Sequence, residues 1–221
     1  MRHILVTALV AAVIAGLAAF AAQSLNAIPL IAVAETFENA ASAPEGVATH
    51  AHEAWEPAEG FERQAFTAVA DILVAFGFAL ILVGLFALRG RAVDGRQGLL
   101  WGLAGFAAFA LAPAIGLPPE LPGSHAAELG LRQLWWLGTA MATAIALSMM
   151  VFGKSRGIRA IAIALLFVPH IIGAPQAHEH GGAAPAELAV PFIVASLMAS
   201  AVFWVALGTA AGWFYGRLSR R

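Results

Sequence analysis

Residues 65–88 read AFTAVADILVAFGFALILVGLFAL; the turn Arg89-Gly90-Arg91-Ala92-Val93-Asp94-Gly95-Arg96 follows, then a second apolar run, 97–116, QGLLWGLAGFAAFALAPAIG. About 20 apolar residues suffice for a helix to cross the hydrocarbon core of a bilayer. Two such runs joined by a tight turn make a transmembrane hairpin. The turn carries Arg89, Arg91 and Arg96, and basic residues mark the cytoplasmic side. Outward from this hairpin the same pattern recurs, with further spans expected at 4–23, 131–152, 158–174 and 187–214. Their basic ends are Arg2, then Lys154, Arg156 and Arg159, then Arg217, Arg220 and Arg221. Only Arg63 and Arg132 among the 12 Lys and Arg residues lie on the opposite side, with all 13 carboxylates but Asp94 and all 7 histidines but His3.

The chain of 221 residues is 61% hydrophobic and 11% charged, too apolar for a soluble domain of that size. The reading is an all-α integral membrane protein. It forms one membrane domain over 1–221, a bundle of about six transmembrane helices with both termini in the cytoplasm, as an even span count requires. The span at 158–174 is short. Dropping it would put Lys154 and Arg217 on opposite faces, so the charge pattern keeps it.

The first segment also has the look of a secretory signal peptide, with Arg2 and His3 before an apolar run that ends in small residues. The run nevertheless continues past Gln23 and Asn26 into Pro29-Leu30-Ile31-Ala32-Val33-Ala34, which favours retention as a span. Gln23, Asn26 and Pro29 are expected to bend or unwind the helix near the outer interface. The outer connection 35–63 holds Pro44, Gly46, Pro57 and Gly60 and is expected to be mostly irregular.

Within the spans, Gly208, Gly212 and Gly216 fall on one helical stripe and Gly98 and Gly102 on another. Such stripes let backbones approach where lipid supplies no hydrophobic drive for association. Trp55, Trp135 and Trp136 fall near the outer interface, and Trp101, Trp213 and Tyr215 near the inner one, where aromatic anchors collect.

With no cysteine in the chain, a disulfide framework, a thiolate metal site and an iron–sulfur cluster are excluded. Gly153-Lys154-Ser155 has the ending of a phosphate loop, but Ser148 stands where the motif needs its first glycine. Ser196 and Ser200 share a helix without any neighbour that would make either a nucleophile. No enzyme is expected.

The chemistry falls to a few polar groups. Asp71 lies inside the second span, and an intramembrane acid faces a cavity or a partner. Arg132 and Arg63 are its candidate counter-ions, and an Asp–Arg pair locking two helices is the plain alternative to a polar path. His170 follows Pro169, which removes a backbone donor from the helix; it is read either as a metal ligand or as an interhelical hydrogen bonder. His50 and His52, His125, and His178 and His180 stand on the same outer side. His-x-His pairs in extended backbone put both rings on one face, and imidazole with carboxylate suits zinc, nickel, cobalt or copper(II). Glu35 and Glu38 are hard ligands or simply solvated acids.

Four stretches together resemble the CbtA family of proposed cobalt transporter subunits: Pro29 to Glu38 (PLIAVAETFE), Gly116 to Gly123 (GLPPELPG), Arg132-Gln133-Leu134-Trp135-Trp136 followed by Thr139, Ala142 and Thr143, and Pro169 to Pro175 (PHIIGAP). They occur in family order over most of the chain. The family is usually described with five membrane segments, against six here. The resemblance implies uptake of cobalt ion (Co2+) into the cell for corrin (cobalamin, vitamin B12) synthesis, across a bacterial inner membrane. It also implies a partner, a small CbtB-type membrane subunit with a His-rich terminus. It points to Glu35, Glu38, Glu120, Arg132, Trp135, Trp136 and His170. The resulting candidate metal set is His170, His178, His180, His50, His52, Glu35, Glu38 and Glu120, with Asp71 and Arg132 as polar path or helix lock. Cobalt is the transported ion and no cofactor is permanently bound. The surroundings are the lipid bilayer, with no nucleic acid and a homo-oligomer left open. A non-transporting scaffold or metal chaperone, and an outer-face membrane enzyme using Asp71 or His170 as base, are the alternatives.

Overall fold

A computed structural model describes residues 2–42, 57–177 and 181–219. Apart from one isolated bridge, the described chain is helices and connections. In order these are α1 (Arg2–Ser42), α2 (Phe61–Arg89), α3 (Gly95–Phe106), a π-helical turn (Ala107–Leu111), α4 (Ala112–Gly116), α5 (Leu129–Phe152), α6 (Arg156–Ile172), a 3-10 turn (Ala186–Leu188) and α7 (Ala189–Leu218). Five helical stretches are long and apolar enough to cross a membrane: α1, α2, the α3–α4 run, α5 and α7. The protein is therefore a multi-pass helical membrane protein. The sixth expected span is α6, whose 17 residues measure about 25 Å at 1.5 Å per residue, short of a core about 30 Å thick.

Local sequence sets where these helices begin. The Asp94 side chain accepts from the Gln97 N–H at 2.8 Å, capping α3. That accounts for the one acid on the basic side, since a capping carboxylate satisfies an N–H otherwise left without a partner. Gly90, at φ 64°, ends α2 in the left-handed conformation that glycine adopts without strain. Ser155 accepts from the Ile158 N–H to start α6, and Glu128 accepts from Gly130 and Leu131 to start α5.

α7 is the central post. α1 runs antiparallel to it, with the His3 and Tyr215 rings 6.0 Å apart at one end and Ala27 clustered with Phe192 and Ala195 toward the other. α2 returns alongside α1, where Gly16 meets Ile72. The stripe Ala8, Ala11, Ala12, Ala15 and Ala19 is buried, and packs with Ala75, Ala79, Leu82 and Leu207 in one core. Small side chains allow this close approach. The glycine stripes do the same. A Cβ on Gly98 would strike the Gly208 carbonyl and sit 2.8 Å from the Gly212 Cα, and one on Gly208 would lie 2.7 Å from the Gly102 Cα. α6 lies against α5 and buries little beyond Ala162 and Pro169.

Basic residues collect at one end of this bundle. There Arg89 lies over the Phe152 ring at 5.4 Å, Trp101 is 6.5 Å from the same ring, and Arg217 lies over Trp213 at 3.9 Å. The acids paired with Arg63 and Arg132 lie at the other.

Two expectations are corrected. α1 does not unwind at Gln23, Asn26 or Pro29; it is one helix from Arg2 to Ser42, about 60 Å long. Ser24 and Asn26 donate to the carbonyls of Phe20 (2.7 Å) and Ala22 (3.1 Å), one turn back, and so reinforce the helix. The connection expected to be irregular over 35–63 is helical as far as Ser42 and again from Phe61, and residues 43–56 lie outside the described residues. Glu35 and Glu38 are helix residues. The other two outer connections are stitched together by a bridge between Ser124 and Gly182, with the His125 N–H donating to the Gly181 carbonyl at 3.0 Å.

Candidate functional site

Beyond the acidic end's ion pairs, the polar groups converge between α1, α2, α5 and α7. At the acidic end Arg63 of α2 pairs with Glu35 of α1 and also reaches Glu59 at 3.2 Å. Two turns further along α2, about 12 Å, lies Asp71. Its counter-ion is neither expected arginine. Both carboxylate oxygens accept from the Gln23 Nε2, each at 3.2 Å. Arg132 pairs instead with Glu120 at 2.5 Å. The Asp–Arg helix lock is therefore overturned, because both arginines are already neutralised by acids nearer the outer surface. An amide–carboxylate bond holds α1 to α2 without cancelling the charge.

Asp71 and Gln23 open into a cavity of about 400 Å³. A second cavity of about 410 Å³ is lined by Glu120, Arg132 and Gln133. The two meet at a common wall of Phe109, Ala110, Trp136, Ser196 and Ser200. Together they trace a cleft from the Glu120–Arg132 pair toward Asp71. The π turn shapes this wall. Pro113 has no N–H to offer the Phe109 carbonyl four residues earlier, and the Ala112 N–H bonds to Ala107, five residues back. π turns of this kind recur at functional sites. Beneath Asp71 the cavity ends on aromatic rings. Phe109 stacks on Trp204 at 5.6 Å, and Phe78 meets Trp204 at 4.9 Å and Phe109 at 5.1 Å. Phe203 adds a further edge 5.4 Å from Trp204.

Ser196 and Ser200 are one turn apart on α7. Elsewhere in the bundle Ser24, Thr67 and Thr139 bond back to a carbonyl four residues earlier, whereas the buried Thr7 hydroxyl has no partner among the described residues. The hydroxyls of Ser196 and Ser200 make no hydrogen bond to any described residue. In sequence the pair is only a failed nucleophile site. Its relation to Asp71 depends on how α7 sits against α2, which no local pattern carries. Gln23 reads in sequence as a helix breaker; the available signal was an amide within reach of an intramembrane acid on the neighbouring hairpin.

The other expected ligands disperse. His170 meets the Trp135 ring edge-on at 6.0 Å, while the Trp135 indole N–H donates to the Pro169 carbonyl at 3.2 Å. His170 lines neither cavity. Trp135 and Trp136 thus make helix contacts or line the cleft. Glu38 packs near Gly123, and His125 is exposed. His50, His52, His178 and His180 lie outside the described residues. Among the described residues no three His, Asp or Glu side chains converge as a metal-ligating set.

A family model described as "Probable cobalt transporter subunit (CbtA)" matches residues 1–216. No curated protein and no solved structure matches the chain.

Proposed function

Because the chain belongs to the CbtA family of probable cobalt transporter subunits, we propose that it admits Co2+ from the outer face of a bacterial inner membrane to supply corrin synthesis. The observation that carries this reading is a carboxylate, Asp71, that opens into a cavity within an otherwise apolar bundle, with a second cavity leading outward to Glu120 and Arg132. An acid inside a span costs about 3 kcal/mol on insertion scales. One Gln23 amide offsets part of that, by about 1.5–3 kcal/mol for a hydrogen bond to a charged group. A charge kept at such cost is explained by a cation that visits it.

In this reading α6 is the sixth crossing, thin and tilted little, and both termini are cytoplasmic. The acidic outer face, with His50, His52, His178 and His180, raises the local cation concentration. Glu120 meets the ion at the mouth, where Arg132 otherwise neutralises it. Asp71 receives the ion below. The inward-negative potential favours entry by about 2.3 kcal/mol per charge for each 100 mV. The partner is a small CbtB-type membrane subunit whose His-rich terminus takes up the ion on release, and the sparsely packed α5–α6 hairpin is the surface it meets.

Two measurements test the reading. Vesicles carrying this chain with a CbtB-type partner should accumulate radiolabelled cobalt in response to an inside-negative potential, and empty vesicles should not. Reporter fusions after Arg91 and Arg159 should read cytoplasm and one at Ser124 periplasm. No uptake with the partner present rejects the transport reading, and a periplasmic signal after Arg159 rejects the six-span topology.

A further inference from the structure

We propose, resting on the uptake reading, that the cavity beneath the mouth binds the dication with its water shell in place rather than by direct ligation. The polar side chains around it are those of Asp71, Gln23, Ser196 and Ser200, beside the indoles of Trp136 and Trp204, and no imidazole lines it. Gln23 spends its amide donor on both oxygens of Asp71. That holds the carboxylate in one orientation and leaves its remaining lone pairs toward the cavity. The two serine hydroxyls are unclaimed by any described residue, although each stands on a helix whose carbonyls are within easy reach of such groups. Unclaimed hydroxyls facing an acid across a cavity suit the hydrogen atoms of metal-bound water.

Size agrees with this. About six waters, at roughly 30 Å³ each, occupy on the order of 180 Å³, which fits within about 400 Å³. A bare ion would instead need four to six protein donors drawn within about 2.2 Å of one point. Among the described residues no three His, Cys, Asp or Glu side chains gather to supply them. A dication holds its water loosely or firmly according to the metal, and a site built from one carboxylate and hydroxyls does not have to strip it. Such a site reads the charge and size of the aqua ion. It is therefore nearly blind to the affinity order that makes nickel and copper outcompete cobalt at imidazole sites. Discrimination between metals then belongs to the loop histidines or the partner, and admission to this cavity.

Hexaamminecobalt(III) tests the inference, because its ammine shell does not exchange and it can bind only through that shell. The protein in lipid nanodiscs is equilibrated with radiolabelled Co2+, and the complex is added as competitor. It should displace Co2+ from the wild-type chain. Asp71→Asn should weaken binding of both at least tenfold, and Ser196→Ala with Ser200→Ala several-fold. Ser148→Ala, on a hydroxyl bonded to Ala144 away from both cavities, should change neither. Ni2+ and Mg2+ should compete within about tenfold of Co2+. Thermal melting of each variant checks that the fold is retained; in Asp71→Asn the amide carbonyl would still accept from Gln23. With His50, His52, His178 and His180 replaced by Ala so that loop imidazoles hold no metal, Co2+ binding that hexaamminecobalt(III) cannot displace, or that survives Asp71→Asn, overturns the inference and leaves vesicle uptake standing. Absence of Co2+ binding overturns it too, and only if vesicle uptake also fails does the transport reading fall with it.

Discussion

Between Gly95 and Gly105, α3 touches α7 backbone to backbone. A few residues on, between Ala107 and Gly116, the same run of chain stands off from α7 around a cavity. In the first region the closest contacts are made by absence: Gly98, Gly102, Gly208 and Gly212 leave no room for any side chain. In the second, a π turn sets Phe109 on Trp204 at the cavity wall and α7 presents Ser196 and Ser200 in place of glycine. One helix pair thus joins a sealed half to an open half. The sealed half carries the basic turns, and the open half faces the acids. Stability resides in the seam, where lipid gives no hydrophobic help and close packing must serve. The polar groups within the bundle, Asp71, Gln23, Ser196 and Ser200, line the cleft.

The comparison can be broken at the seam. Gly98→Leu drives a side chain into the Gly208 carbonyl and the Gly212 backbone, neither of which can yield. It should cost about 3 kcal/mol or more and collapse the level of folded protein in membranes. Gly77→Ala, where an added Cβ meets nothing within 4 Å, should leave the level unchanged or raised. Equal abundance of the two variants would show that the seam is not where the bundle is held. At the mouth the effect should be smaller and of another kind. Glu120→Gln removes a partly exposed ion pair, and such pairs contribute about 1 kcal/mol or less to stability. Melting should hardly move, while the cobalt concentration for half-maximal uptake should rise several-fold. A loss of maximal rate without that rise would place Glu120 outside the entry path. The smallest effect is expected at His170. His170→Gln should keep uptake within about twofold, because the residue lines neither cavity and meets Trp135 edge-on. Abolished uptake at every cobalt concentration, with normal abundance, would restore His170 as a ligand and move the site toward α6.

Much of the sealed half was legible in the sequence. The Arg89–Arg96 turn gives the hairpin and its polarity, and the spacing of Gly98 and Gly102 against Gly208 and Gly212 gives the seam. These are periodic, local signals. Even Asp94, the exception to the charge rule, is a local cap. The open half was harder to read because its partners are distant in sequence: Gln23 with Asp71, Glu35 with Arg63, Ser196 with Asp71. Sequence singles out Asp71 and its outer acids as polar features, yet assigns the arginines to the wrong carboxylate. The choice between an amide and a guanidinium was made by helix packing. The continuity of α1 past Pro29 was likewise hidden, since the neighbours that support a proline-containing helix are tertiary.

The aromatic rings of Phe78, Phe109, Phe203 and Trp204 have a bioenergetic consequence. They floor the cleft, and the close-packed glycine seam of α3 and α7 lies beyond them. Aqueous continuity between the two faces is broken at that layer. In the proposed uptake, ions would cross by discrete movements of the floor, each with a turnover, and the protein should pass no steady electrical current.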